Sequence, residues 1–104
     1  MAARGNRVVL DLNSEEFQKT FLALETAELK QVAATLSRLR GMDWNTVYSH
    51  SGLNWEAVVL FKAPNGSKAY SLRLSQKIRA LAYRDGDLLR FMSLHTDHDS
   101  AYKR

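Results

Sequence analysis

From Ala69 to His95 the sequence alternates between apolar and polar residues in a way that only a sheet can use. Tyr70, Leu72 and Leu74 interleave with Ser71, Arg73 and Ser75, and Ile78, Ala80 and Ala82 with Arg79, Leu81 and Tyr83. Leu88, Met92 and Leu94 follow, beyond an Asp85-Gly86-Asp87 turn. A period of two means strands with two unlike faces, so this stretch reads as three consecutive antiparallel strands. Arg73 and Arg79 fall inside the strands rather than in loops, which puts cationic groups on a sheet surface. Directly after the last strand comes His95-Thr96-Asp97-His98-Asp99-Ser100-Ala101-Tyr102-Lys103-Arg104. Arginines on a sheet face beside a tail rich in His, Asp and Tyr suggest a phosphate-handling surface.

The charge distribution agrees. Residues 1–52 carry six Lys/Arg and six Asp/Glu, which cancel, whereas residues 53–104 carry nine and five and hold the whole excess of +4. A basic half suits a polyanion such as nucleic acid, or an acidic protein partner; a basic surface kept for solubility explains the charge equally well. At 104 residues the chain is expected to be one domain with a single modest core. No apolar run approaches a membrane span, and the N-terminus lacks the apolar stretch of a secretory signal. The absence of cysteine excludes disulfides and thiolate metal sites and fits a cytoplasmic protein. No cofactor or metal is expected; three histidines are weak evidence for one.

The rest of the chain reads as scaffold. Arg7 to Leu12 forms a first strand. Asn13 is expected to cap a helix from about Ser14 to Glu25, with Glu16 three residues on and Phe17, Phe21 and Leu24 on one face. Thr26 is expected to cap a second helix, about Ala27 to Arg40, with Leu29, Val32, Ala33, Leu36 and Leu39 as its stripe and Gly41 as its stop. The short link makes the pair an antiparallel hairpin. Asp43 could cap a single turn carrying Trp44, Val47 and Tyr48; these aromatics read as a satellite core cluster before they read as base-stacking groups. Trp55 to Lys62 is a strand, and Ala63-Pro64-Asn65-Gly66-Ser67 a hairpin turn into the next. The expected order is β-α-α-β-β-β-β: an α+β domain whose small, mostly antiparallel sheet has the N-terminal helical hairpin packed on one face. The open face would then display Ser71, Arg73 and Arg79.

Cleavage of RNA by its own 2'-hydroxyl needs a base for the hydroxyl proton, a cation for the phosphate and an acid for the leaving 5'-oxygen. Arginine suits the second role through its planar fork, histidine the first or third, and tyrosine can stack on a base. All three residue types gather in the last 35 residues or so. Simpler readings stand beside this one. A strand arginine usually faces solvent with a cross-strand carboxylate. Arg84 flanks the turn and reads as surface, and His50 as a loop residue. His95 can be a hydrogen-bonded strand end. His98, between Asp97 and Asp99, is placed for a carboxylate to orient its ring, although His-x-x-His with interleaved Asp also fits a weak metal site or a capped turn.

This pattern resembles the RelE/ParE superfamily of toxins from type II toxin–antitoxin modules. The resemblance rests on the element order, on Tyr70-Ser71-Leu72-Arg73-Leu74, on Ile78-Arg79-Ala80-Leu81-Ala82-Tyr83 with Asp85-Gly86-Asp87, and on the tail from His95 to Tyr102. It implies a microbial-RNase-like sheet with two helices. For a RelE-like member it implies metal-independent, ribosome-dependent cleavage of mRNA. Arg73 would help to activate the 2'-hydroxyl. Arg79, the arginine of an Arg-x-x-x-Tyr strand, would hold the scissile phosphate, and Tyr102 would stack on a nucleotide. The family's basic residue near the tail is missing, so His98 or His95 would serve as acid or base, and Ser71 stands where a second strand lysine is common. Lys68, Lys77, Arg90, Lys103 and Arg104 would contact RNA. The implied partners are a cognate antitoxin, the ribosome and mRNA, and no membrane. ParE-like members share the fold but poison DNA gyrase, which is the alternative, together with an inactive RNA- or antitoxin-binding module.

Overall fold

The computed structural model describes residues 6–96. Its elements run β1 (Val9–Asp11), α1 (Glu15–Leu22), α2 (Thr26–Leu39), α3 (Trp44–Ser49), β2 (Glu56–Lys62), β3 (Lys68–Arg73), β4 (Ile78–Asp85) and β5 (Leu88–Thr96). The strands form one sheet in the order β1-β5-β4-β3-β2. The pairs β2–β3, β3–β4 and β4–β5 are antiparallel, and β1 lies parallel to β5 at the far edge. The α+β architecture is the one expected, with α3 as an added third helix.

The helices cover one face. Phe17 of α1, Val32, Leu36 and Leu39 of α2, and Trp44 and Val47 of α3 pack with Leu72, Ile78, Ala80, Ala82, Leu89, Phe91 and Leu94 of the sheet. Phe17 is fully buried against Phe91, ring centroids 5.1 Å apart. The other face has only a small apolar cluster, Ala69 and Leu81 with Val58, Phe61 and Met92. Of the second helix stripe, Val32, Leu36 and Leu39 enter the core as their spacing predicts, whereas Ala33 is exposed and Thr35 is buried instead; alternation along β3 and β4 separates core from open face.

Several local expectations need correction. The cap of α1 is Ser14, not Asn13: the Ser14 hydroxyl accepts from the Phe17 N–H and donates to the Met92 carbonyl, so one group caps the helix and ties it to β5. The Asn13 N–H donates instead to the Asp11 carboxylate. The helix stops at Leu22, and Leu24 reaches the core from the turn beyond it. Glu25, not Thr26, is the cap residue of α2; its carbonyl accepts the first helical bond, from Leu29, and its side chain makes none. The Asp43-capped segment continues to Ser49, held by the buried Trp44, whose indole N–H donates to the Asp87 carbonyl. Trp44 thus belongs to the main core rather than to a satellite cluster, and Tyr48 is exposed. Arg84 is more than surface: its guanidinium lies 4.4 Å from the Trp44 ring centroid and donates to the Gly86 carbonyl and the Tyr48 hydroxyl.

The correction that matters most lies in β5. Leu88, Met92 and Leu94 do not share a face. Leu89 and Phe91 point to the core, and then the pairing with β4 slips: Ala82 faces Phe91, but Leu81 faces Ser93. Met92 is the extra residue of a β-bulge. Met92 and Ser93 both fall on the open side, after which Leu94 turns inward and His95 outward.

Candidate functional site

Three basic side chains form a line across the open face. In register, Arg73 on β3 is opposite Arg79 on β4, and Arg79 is opposite His95 on β5. Cross-strand partners point to the same side of a sheet, with Cβ atoms about 4.5–5.5 Å apart. Two guanidiniums directly opposite each other repel, and strands normally avoid this. The relief expected of a structural arginine is a carboxylate neighbour. Among the described residues neither Arg73 nor Arg79 has an ion pair within 4.0 Å. Arg73 donates from Nη1 to the Gln76 carbonyl in the β3–β4 turn, 2.9 Å, a bond to a neutral acceptor.

His95 is buried, about 9% exposed, and its Nε2 lies 2.7 Å from the hydroxyl of Ser93, itself buried. The two residues are one strand period apart and share the open face. Ser93 therefore holds the imidazole ring in one orientation, whichever partner donates. Of the three groups in the line, only the histidine can take up and release a proton, because a guanidinium stays protonated. The arrangement offers two fixed cations for an oxyanion and one oriented acid/base group at the end of the row. Ser71 is on this face too, next to Arg73, but buried.

Arg90 differs from these. On the same face, toward β1, its Nη1 pairs with Asp11 and its Nε donates to Asp85 Oδ2, 3.0 Å. These carboxylates raise the Arg90 pKa, Asp85 most strongly. The Asp11 carboxyl is held below its ordinary value, first by the Asn13 backbone N–H and then by Arg90, against the opposing effect of burial. Lys68 is exposed at the start of β3 and Lys77 in the turn between Arg73 and Arg79. His98, Tyr102, Lys103 and Arg104 lie outside the described residues. No cluster of three His, Asp or Glu side chains among the described residues is placed to hold a metal, and no described helix is long and apolar enough to cross a membrane. Ser93 was not singled out from the sequence. The signal was present, since Ser93 and His95 are separated by one strand repeat, but it needed the correct face for β5.

This architecture has a solved counterpart in the archaeal RelE of the RelE–RelB complex from Pyrococcus horikoshii OT3. The superposition gives a TM-score of 0.57 at 13% sequence identity, over 89% of this chain and 96% of that one. The fold is RelE-like. No protein-family model matches the sequence, and no curated protein does. The likeness therefore lies in the backbone arrangement, and the residues on the RelE-like sheet must carry any argument about chemistry.

Proposed function

We propose that this protein is the toxin of a toxin–antitoxin pair and cleaves mRNA on the ribosome, in the cytoplasm, without a metal. The observation that carries this reading is the Arg73–Arg79–His95 line, two guanidiniums with no ion pair among the described residues and an oriented imidazole, on the open face of a RelE-like sheet. In the proposed reaction the 2'-oxygen attacks the adjacent phosphorus and the bond to the 5'-oxygen breaks. The products are a 2',3'-cyclic phosphate and a 5'-hydroxyl. Arg73 and Arg79 hold the non-bridging oxygens as charge builds on them. His95 moves one of the two protons, either from the 2'-hydroxyl or to the leaving oxygen. His98 is the first candidate for the other, and Tyr102 for stacking on a base. The solved RelE is bound to RelB. A comparable antitoxin for this chain would bring carboxylates to the same arginines and so occupy the site.

The test is primer extension on a defined mRNA in a purified translation system, with and without ribosomes. Wild type is run beside Arg79→Ala, His95→Ala and His98→Ala. Cuts that need the ribosome, map to the codon being decoded and vanish in Arg79→Ala are the expected result. Cutting by His95→Ala at the wild-type rate would move the proton transfer to His98. No cutting at any toxin concentration, with growth of expressing cells still arrested, would overturn the nuclease reading and direct attention to DNA gyrase.

A further inference from the structure

A second concentration of hydrogen-bond donors lies at the end of the sheet, off the open face. A cavity of about 160 Å³ opens between the last turn of α2, the loop after α3 and the β3–β4 turn. Its polar lining is Thr35, Arg38, His50, Arg73 and Ser75, with no carboxylate among the lining residues. Arg38 is held in place by a hydrogen bond from Nη2 to Thr35 Oγ1, 3.3 Å. The Gly52 N–H donates to His50 Nδ1, 3.1 Å, so the neutral ring carries its proton on Nε2 and is a donor there. Ser75 Oγ is buried and has no hydrogen-bond partner among the described residues, a state that is costly for a hydroxyl and rare in native interiors. At the carbonyl end of α2, Leu36 accepts from Arg40 and Leu39 from Met42.

We propose that this cavity is a phosphate-binding pocket, occupied by a phosphate of the RNA strand whose scissile phosphate lies on the open face. Arg73 is the link, since its side chain belongs to the cross-strand line while the residue itself borders the cavity. The Arg38 guanidinium, an imidazole N–H and a hydroxyl are a donor set that complements a tetrahedral oxyanion and no cation. The volume exceeds the roughly 30 Å³ share of one water several-fold, so a phosphate fits. The loop closes on the His50 ring: a Cβ on Gly52 would sit 3.0 Å from His50 Cε1 and 3.2 Å from Nδ1. The identity of the occupant rests on the nuclease reading; the pocket itself does not.

Two measurements separate these. In the first, inorganic phosphate is titrated into the full-length protein at constant ionic strength and backbone amides are followed by NMR. Shifts at Gly52, Arg73 and Ser75 that disappear in Arg38→Ala and weaken in His50→Ala are expected; their absence in the wild type would overturn the pocket. In the second, ribosome-dependent cutting is measured against toxin concentration. Arg38→Ala should raise the half-saturating concentration roughly tenfold or more, as expected for losing a charge-assisted hydrogen bond, with the saturating rate unchanged. Arg40→Ala, the same charge change two residues away and outside the cavity, should do neither. Phosphate shifts in the cavity with wild-type cutting by Arg38→Ala would overturn RNA as the occupant. If the wild type cuts nothing, the nuclease reading and the RNA occupant fail together, and the phosphate titration alone decides the pocket.

Discussion

Two arginine arrangements share one face of this sheet and are opposites. Toward β1, Arg90 is matched by Asp11 and Asp85 and is part of the structure. Toward the β3–β4 turn, Arg73 faces Arg79, and Arg79 faces His95, with no carboxylate within ion-pair distance of either arginine among the described residues. The first arrangement stabilises the fold. The second costs stability by cross-strand repulsion, and a bound phosphate would offset that cost. An arginine in a strand is thus uninformative alone; its opposite number on the next strand separates a structural cation from one kept for a ligand.

The most severe way to break the contrast is to delete Leu94. With the bulge at Met92 kept, His95 would take the inward place of Leu94; with the bulge lost, Ser93 would turn inward, away from His95, because a one-residue slip exchanges the two faces. The variant is expected to lose all cutting and to unfold at lower denaturant concentration, read by primer extension and urea titration. Next in size is a paired comparison. Arg79→Ala should reduce cutting by about 10²–10³, the usual effect of removing a donor to a developing oxyanion, with no loss of melting temperature. Arg90→Ala should do the reverse, lowering the melting temperature while cutting persists. Equal effects of the two on cutting would remove the distinction.

A charge reversal sharpens it. Arg73→Glu places a carboxylate directly opposite Arg79 and should stabilise the fold by about 0.2–1 kcal/mol, while abolishing cutting. A fall in stability would mean that the Arg73 hydrogen bond to the Gln76 carbonyl outweighs the repulsion. The smallest effect concerns the matched arginine. The Asp11 pKa is lowered on folding from its ordinary value of 3.8, so its contribution is present above that value and lost as pH falls through the lower folded value. Acid titration of stability should therefore be less steep below about pH 4 in Asp11→Asn than in the wild type; identical slopes would assign the acid sensitivity elsewhere.

Much of the architecture was legible beforehand. Tyr70 to Ser75 and Ile78 to Tyr83 alternate cleanly, so Arg73 and Arg79 could be assigned to the open face from their spacing alone. The second helix was equally plain, because Val32, Leu36 and Leu39 repeat at the helical period. The helix caps were not, since Ser14 competes with Asn13, and the choice was made by the Met92 carbonyl, 78 residues away. Arg84 was misread as ordinary surface because its partners, Trp44 and Tyr48, come from a helix far away in sequence.

What the sequence determined by itself was the set of chemical groups and the faces of the two regular strands, because side-chain direction there follows from a local period of two. What the tertiary structure alone decided was which groups meet. Continued alternation from Leu89 and Phe91 would put His95 in the core. The bulge at Met92, visible only once β5 is paired with β4, turns His95 out beside Arg79 and onto Ser93. Likewise Arg38, His50 and Ser75 come from three segments whose spacings carry no common period, and only the packing of α2 against the end of the sheet gathers them around one cavity. Pairing across strands and packing between layers are long-range relations, and no local pattern in the chain encodes them.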